Sequence, residues 1–457
     1  MSRSMITMTE GRIETRVIQF AIPILLSNLL QQLYNTLDTV IVGRFVGSTA
    51  LAAVGSTTAL VNLVIGFYIG LSTGAGVVIA QYYGAKNEEQ LQNSVHTGMA
   101  ISVASAVIIA VVGVIGAPYF LIWMGTPPEV MSQAVAYLRI LFGGVIFMTL
   151  YNMGGGIMRA IGDSTRPLIY LAVCAVLNVV LNLVFVVGFH MGVTGVAVAT
   201  VIAQSISSVL VLYNLIHTTD IYKLHPSKIR FHRDVFLRIV NIGIPAGIQS
   251  MVISFSNVVV QSNVNRFGAV TMAAFAASGK IDSFIYMVEN ALGLTATTFV
   301  GQNIGAKQYE RVRVGVKHIV GLAIGSVVIF GTAVAIFAPQ LISLVNNEAE
   351  VIAIGSVQLR ILALTYWLLA IPEVLSGSIR GSGISVVPMI ISMANMCLFR
   401  LIWLAVVMPI FNDFRVVSAC YVVSWFLTAS CYLIYVKKSN WMHRFDGPDQ
   451  TAGAAAE

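Results

Sequence analysis

The sequence predicts an all-α membrane protein of twelve transmembrane helices, arranged as two six-helix bundles that are related by a parallel internal repeat. A very apolar composition and a long-range self-similarity lead to this prediction. Of the 457 residues, 57% are hydrophobic and only 10% are charged, whereas soluble domains carry about 25% charged residues. A chain with so few charged residues cannot cover a water-facing surface, and lipid must therefore surround most of it.

Apolar segments recur along the whole chain, and a helix needs roughly 20 such residues to cross a bilayer. The predicted spans are 17–41, 51–79, 95–117, 135–157, 167–188, 193–215, 238–262, 272–299, 315–338, 356–379, 387–409 and 417–436. With the N-terminus inside, 19 of the 26 Lys and Arg residues fall in cytoplasmic regions, three fall outside and four fall within spans. Since cytoplasmic loops are enriched in Lys and Arg, both termini are predicted to be cytoplasmic.

The spans divide the chain into five predicted regions: a cytoplasmic N-terminus (1–16), an N-lobe (17–215), a basic cytoplasmic linker (216–237), a C-lobe (238–436) and a cytoplasmic tail (437–457). The net charge of +7 reflects this topology, so nucleic acid is not expected as a partner. We expect a multi-pass monomer that is surrounded by the lipid bilayer.

The two lobes align with each other at polar positions, where apolar helices do not match by chance. At an offset of 221 or 222 residues, the matching sets are Gln81, Gly84, Lys86, Arg159, Gly162 and Pro167 with Gln302, Gly305, Lys307, Arg380, Gly383 and Pro388. Because six spans is an even number, both copies enter the membrane from the same side. A parallel repeat with a cavity between its halves suits alternating access.

One set of polar residues is predicted inside the membrane of the first copy only. Asp38 lies in span one, Asn178 and Asn182 share a face of span five, and Thr200 lies in span six. Their oxygen atoms could hold Na+, or Asp38 could take up a proton. The corresponding residues of the second copy are Val260, Phe399, Trp403 and Tyr421. The cost of a carboxylate in the membrane favours an ion-coupling role over a structural one, in which hydrogen bonds hold an interfacial Asp38.

The second copy has acidic residues of its own in span eight. Asp282 and Glu289 are seven residues apart and share a helix face, with Lys280 close by. These three are candidates for a cavity that attracts a cationic substrate; the alternative is a carboxylate beside a water-filled vestibule with no specific role. Pro23 and Pro245 interrupt span interiors and are candidate hinges.

Enzyme motifs are not found in the sequence. The GxxxxGK[ST] pattern of nucleotide-binding loops does not occur, so ATP is not expected to bind in this way. No catalytic cluster is recognised either, and we therefore expect no enzyme activity. No cofactor is expected beyond H+ or Na+ as the coupling ion.

Several segments together resemble the multidrug and toxin extrusion (MATE) family of bacterial efflux transporters. They are IPILLSNLLQQLYNTLDTVIVGRFVG in span one, RAIGDSTRP after span four, N-x-x-x-N in span five and QNIGA after span eight. The resemblance implies that Asp38, Asn178, Asn182 and Thr200 form an ion site in the first lobe, with Tyr137 as a further member. Some members carry Asp where this chain has Asn182, and one branch has a Glu in span seven that this chain lacks.

The expected function is therefore secondary antiport: export of cationic amphiphilic compounds in exchange for H+ or Na+. A lipid or oligosaccharide flippase of the wider superfamily is the alternative of the same class. A channel or sensor is the alternative of another class, and single-channel currents would distinguish it.

Overall fold

The computed structural model describes residues 6–411 and 413–443, and most of these residues are helical. The predicted tail residues from 444 onward and the first five residues lie outside the described part. Twelve long helices follow one another: α1 Ile13–Val46, α2 Ser48–Gly84, α3 Glu88–Trp123, α4 Pro128–Gly143 with Val145–Ala160, α5 Thr165–Gly188, α6 Gly192–His217, α7 Arg233–Phe267, α8 Ala269–Gly305, α9 Tyr309–Ile336, α10 Ala349–Ala363 with Tyr366–Gly381, α11 Val386–Phe411 and α12 Phe414–Lys438.

These helices account for the predicted spans. Within the described residues, nine are long and apolar enough to cross a membrane, and eleven if the bent helices α4 (46°) and α10 (49°) each count as one span. The remaining helix, α8, is 37 residues long and carries Lys280, Asp282 and Glu289. The prediction of an all-α membrane protein with a two-lobe repeat is confirmed, and the twelve long helices correspond to the twelve predicted spans.

Side-chain caps fix several helix starts in the polar loops. The Asn87 side chain accepts a hydrogen bond from the backbone N–H of Gln90 (3.1 Å) at the start of α3. At the start of α5, Asp163 accepts from the backbone N–H groups of Thr165 and Arg166, each at 3.1 Å. Since the first N–H groups of a helix have no partner within it, such caps determine where the helix begins.

The internal repeat is visible in backbone and side-chain geometry. Lys86 and Lys307, which align in the two copies, both adopt a left-handed conformation, with φ of 53° and 57°. Likewise, Arg139 Nε donates to the carbonyl oxygen of Val114 and Arg360 Nε to that of Ala335, both at 3.2 Å. The two copies thus use equivalent residues for equivalent local interactions.

The chain divides into two compact units. Unit 1 contains Leu26–Ile244 together with Ile6, and unit 2 contains Thr7–Leu25 and the described residues from Pro245 onward. In this division residues 17–25 group with unit 2, and residues 216–244 group with unit 1. The chain passes from one unit to the other inside α1 and inside α7, two residues after Pro23 and immediately before Pro245.

Hydrogen bonds explain why these two segments belong where they do. In unit 2, the backbone N–H of Met8 donates to Gln302 Oε1 and Asn303 Nδ2 donates to Met8 O, both at 3.1 Å. In unit 1, Arg238 Nη2 donates to Gln81 Oε1 at 3.0 Å. Gln81 and Gln302 are aligned residues of the repeat, and one accepts from a residue in the second turn of α7 while the other accepts from a residue that precedes α1.

Candidate functional site

The four residues predicted to form the ion site meet in unit 1 as one hydrogen-bonded chain. Asn182 Nδ2 donates to Asp38 Oδ1 (2.5 Å) and to Asn178 Oδ1 (2.8 Å). Asn178 Nδ2 in turn donates to Thr200 Oγ1 at 3.3 Å. Helices α1, α5 and α6 are thereby connected through a single polar network.

Helix geometry determines where these side chains lie. Asn178 and Asn182 are four residues apart, so they lie one above the other on one face of α5. Directly after Asn182 the helix widens into a π-helical segment, Leu183–Gly188, a feature that is frequent at functional sites. Thr200 also donates to the carbonyl oxygen of Val196 in its own helix (3.0 Å), which leaves its lone pairs for Asn178.

One atom of this network lacks a hydrogen-bond partner. Asn178 and Asn182 are both fully buried, with 0% exposure, and Asn182 Oδ1 is buried without a hydrogen bond. Leaving a buried acceptor unsatisfied costs roughly 1–3 kcal/mol. A cation, or a proton carried by Asp38, would provide the missing positive partner for Asn182 Oδ1 next to the carboxylate.

Two tyrosines complete the surroundings of Asp38. Tyr34 interacts with both Asp38 and Thr200; the sequence interpretation missed it, although it precedes Asp38 by four residues and so shares its helix face. Tyr137, named through the family resemblance, is half-buried. It packs against an apolar cluster that includes Val42 and Val186.

The donor set fits a hard monovalent cation or a proton. In the described part of the chain, no three His, Cys, Asp or Glu side chains come together as a metal site would require. One carboxylate with amide and hydroxyl oxygens is the kind of oxygen ligand set that hard cations prefer, whereas transition metals favour imidazole and thiolate.

The equivalent positions of unit 2 are apolar or aromatic. Val260, the counterpart of Asp38, is 1% exposed and lies in an apolar cluster with Leu404 and Val417. Trp403, the counterpart of Asn182, donates from Nε1 to the carbonyl oxygen of Val416 at 3.0 Å. The polar network of unit 1 is not repeated there.

Glu289 is buried within unit 2. It is 1% exposed, and neither carboxylate oxygen has a hydrogen-bond partner. Glu373 lies near it, because α8 and α10 approach closely: Thr297 of α8 donates to the carbonyl oxygen of Gly377 of α10 (3.0 Å). Two carboxyl groups are therefore close together in this unit.

The other two residues singled out on α8 have different surroundings. Asp282 accepts a hydrogen bond from the hydroxyl of Tyr366 in α10, so its carboxyl group is paired within unit 2. Lys280 is exposed. Among these three residues, Glu289 is the one whose carboxylate oxygens are buried without hydrogen-bond partners.

Both candidate hinge prolines lie inside helices. Pro23 lies inside α1, which begins at Ile13, and Pro245 lies inside α7, which begins at Arg233. Proline cannot donate the backbone hydrogen bond that continues a helix. The boundary between the two units crosses α1 and α7 next to these prolines.

Two parallel six-helix repeats, with a polar network buried in one of them, are characteristic of secondary transporters. A sequence profile of the MatE family matches the chain twice, at residues 23–184 and at residues 245–406. The chain therefore belongs to the MatE (multidrug and toxin extrusion) family, and the resemblance noted from its sequence motifs is confirmed.

Individual relatives agree with this assignment. The chain is 33% identical over 387 residues to "Probable multidrug resistance protein YoeA" of Bacillus subtilis, covering 82% of each protein. It is 28% identical to "Probable multidrug resistance protein YpnP" of the same organism, covering 86% of this chain and 88% of the relative. A solved multidrug resistance MATE transporter in an outward-facing conformation has the same fold, with a TM-score of 0.89, 22% identity and coverage of 95% of this chain and 97% of that one.

Proposed function

We propose that this protein is a secondary antiporter that exports cationic amphiphilic compounds across the inner membrane, with both termini in the cytoplasm. Export is driven by the entry of H+ or Na+. The observation that carries this proposal is the network of Asp38, Asn182, Asn178 and Thr200, in which a carboxylate and an unpartnered amide oxygen lie side by side. The names of the relatives support efflux as its direction.

Coupling follows from the chemistry of this network. With a cation or proton bound, Asp38 is neutralised and Asn182 Oδ1 gains a positive partner. Without one, the carboxylate depends on Asn182 Nδ2 and Tyr34 alone. The two states favour different arrangements of α1, α5 and α6, and substrate that binds one arrangement better shifts the equilibrium towards it.

Glu289 and Glu373 give unit 2 a role in substrate binding under this proposal. A buried carboxyl group without hydrogen bonds, such as that of Glu289, is costly in a membrane, and a lipophilic cation is a partner that satisfies it. Asp282 then serves mainly as an anchor between α8 and α10 through Tyr366. Lys280, being exposed, has no direct part in this binding.

Pro23 and Pro245 act as hinges in the same proposal. Each is next to the point where its helix passes from one unit to the other, so bending there changes how the two parts of the helix are oriented. Alternating access requires such a change.

The test is transport of a lipophilic cation, tetraphenylphosphonium, by purified protein in liposomes with H+ and Na+ gradients imposed separately. We expect accumulation against its own gradient when one of the two ion gradients is present, and none when both are collapsed. Movement of a fluorescent lipid without cation transport would favour a flippase, and single-channel currents would favour a channel.

A further inference from the structure

A buried arginine lies in unit 2 where unit 1 has its ion site. Arg400 of α11 aligns with Val179 of α5, the residue directly after Asn178. Its side chain is only 3% exposed. A guanidinium inside a membrane protein is costly and is therefore a functional candidate.

Arg400 connects the same three helices of its copy that the ion network connects in the first copy. Its Nη1 donates to Asn257 Oδ1 of α7 (3.3 Å), and its Nε donates to Ser424 Oγ of α12 (2.9 Å). The guanidinium carbon lies 4.5 Å from the ring centre of Tyr421, the counterpart of Thr200. In the repeat, α7, α11 and α12 correspond to α1, α5 and α6.

The partners of Arg400 are neutral groups. No ion pair among the described residues includes this side chain. Amide and hydroxyl oxygens together with the face of an aromatic ring are groups that bind a cation. Unit 2 therefore offers a cation-binding environment, and the cation is supplied by the chain itself.

Apolar side chains pack beside Arg400 in unit 2 and beside Asp38 in unit 1. Val264, Val417 and Leu404 belong to the cluster beside Arg400, and Val42 and Val196 belong to the cluster beside Asp38. Val264 aligns with Val42, and Val417 aligns with Val196. The surroundings of Arg400 and of Asp38 are therefore formed by equivalent helices and include equivalent apolar residues.

We propose that Arg400 is a tethered cation that permanently holds α7, α11 and α12 together, as the bound H+ or Na+ transiently holds α1, α5 and α6. The inference rests on the proposed ion site at Asp38 and extends it: only the first copy exchanges an ion, and the second copy is fixed in an ion-independent form. Arg400 is a positioning residue in this account.

Chemical rescue tests whether the guanidinium itself is required. Arg400→Ala should melt several degrees lower than the wild type in detergent, and its transport rate should fall about tenfold, since two charge-assisted hydrogen bonds and a contact with the ring of Tyr421 are lost. Millimolar methylguanidinium should restore most of the melting temperature, whereas methylammonium should restore less. Arg400→Lys, which keeps a charge, should show an intermediate loss.

Arg360→Ala is the matched control, because Arg360 is exposed and its Nε donates to the backbone carbonyl oxygen of Ala335 rather than to a side chain. Methylguanidinium should not change its melting temperature. The proposal is overturned if methylguanidinium leaves Arg400→Ala unchanged, or if it acts equally on the two alanine variants.

A gain of ion dependence provides the second test. In the double variant Arg400→Met/Asn257→Asp, a carboxylate replaces the tethered cation as the charged group between α7, α11 and α12. Its melting temperature should acquire a dependence on Na+ or pH that persists when Asp38→Asn is added. Asn257→Asp alone should show no such gain, because Arg400 neutralises the new carboxylate.

The two proposals can fail separately. Loss of ion dependence in Asp38→Asn tests the ion site of unit 1, whereas the rescue and the double variant report on unit 2 through melting temperature and need no transport. If the double variant shows no ion dependence beyond that of Asn257→Asp, the tethered-cation account is wrong even when the role of Asp38 holds.

Discussion

At the scale of single residues, Asn182 is the centre of the proposed ion site. It donates from one nitrogen to both Asp38 and Asn178, and its own carbonyl oxygen has no partner. A residue in this position orients the carboxylate and also contributes an acceptor to the ion. Its substitution should therefore change coupling more than a similar substitution elsewhere.

Asn182→Leu should abolish the dependence of melting temperature on Na+ or pH and reduce ion-driven transport to near background. It should also cost about 1 kcal/mol of stability, the magnitude of a hydrogen bond between membrane helices. Asn263→Leu is the control, because the Asn263 side chain donates only to the carbonyl oxygen of Val259 in its own helix (2.9 Å). Equal ion dependence in the two variants would contradict the proposed role of Asn182.

Glu289→Gln should weaken transport of a monovalent lipophilic cation by raising the substrate concentration for half-maximal rate about tenfold, since a charged contact is replaced by a neutral one. The ion dependence of stability should remain, because it arises in unit 1. Initial rates in proteoliposomes across a range of substrate concentrations give both quantities. Glu348→Gln is the control at an exposed carboxylate; an unchanged half-saturation in Glu289→Gln would exclude substrate contact.

The residues that the sequence could identify are those whose side chains are costly in lipid. Asp38, Asn178, Asn182 and Thr200 are polar groups in apolar segments, and the structure brings all four together. Tyr34 was missed because a tyrosine in a membrane helix carries no such cost. Arg400 is one of the four Lys and Arg residues predicted within spans. Its partners lie on two other helices, and the packing between helices cannot be inferred from the pattern of one helix.

At the scale of helices, the prolines of α1 and α7 define where bending is expected. Replacing a helix-interior proline by alanine restores a backbone donor and straightens or stiffens the helix. Pro23→Ala and Pro245→Ala should therefore slow transport several-fold while substrate binding to the purified protein is retained. The measurement is a comparison of turnover with equilibrium binding.

Pro118→Ala is the control for these variants, since Pro118 lies inside α3 and α3 belongs entirely to unit 1. Its effect on turnover should be small. If Pro23→Ala and Pro245→Ala transport as fast as the wild type, the two prolines are not hinges.

Hydropathy predicts that these helices are present, but it does not predict where they end or bend. Span two was predicted as 51–79, whereas α2 is Ser48–Gly84, because a helix continues past the hydrocarbon core into polar residues. The bend of 46° in α4 follows Gly143 and has no apolar signal. Residues 17–25 group with unit 2, as does Met8, whose hydrogen-bond partners at the end of α8 are distant in sequence.

At the scale of the whole molecule, duplication and divergence account for the proposed function. The two copies retain equivalent turns and equivalent arginine contacts, which preserve the helical framework. They differ in the polar side chains at the equivalent place between three helices: an acid and two amides in one copy, an arginine in the other. An antiporter with one exchangeable ion is what this asymmetry predicts.

The most direct test of this account is ion-driven export by Asp38→Asn in proteoliposomes, compared with the wild type and with Glu129→Gln, which alters an exposed carboxylate. The wild type and Glu129→Gln should drive tetraphenylphosphonium against its gradient when the coupling ion is supplied. Asp38→Asn should bind the compound but fail to accumulate it. Accumulation by Asp38→Asn at the wild-type rate would contradict the assignment of Asp38 as the coupling residue.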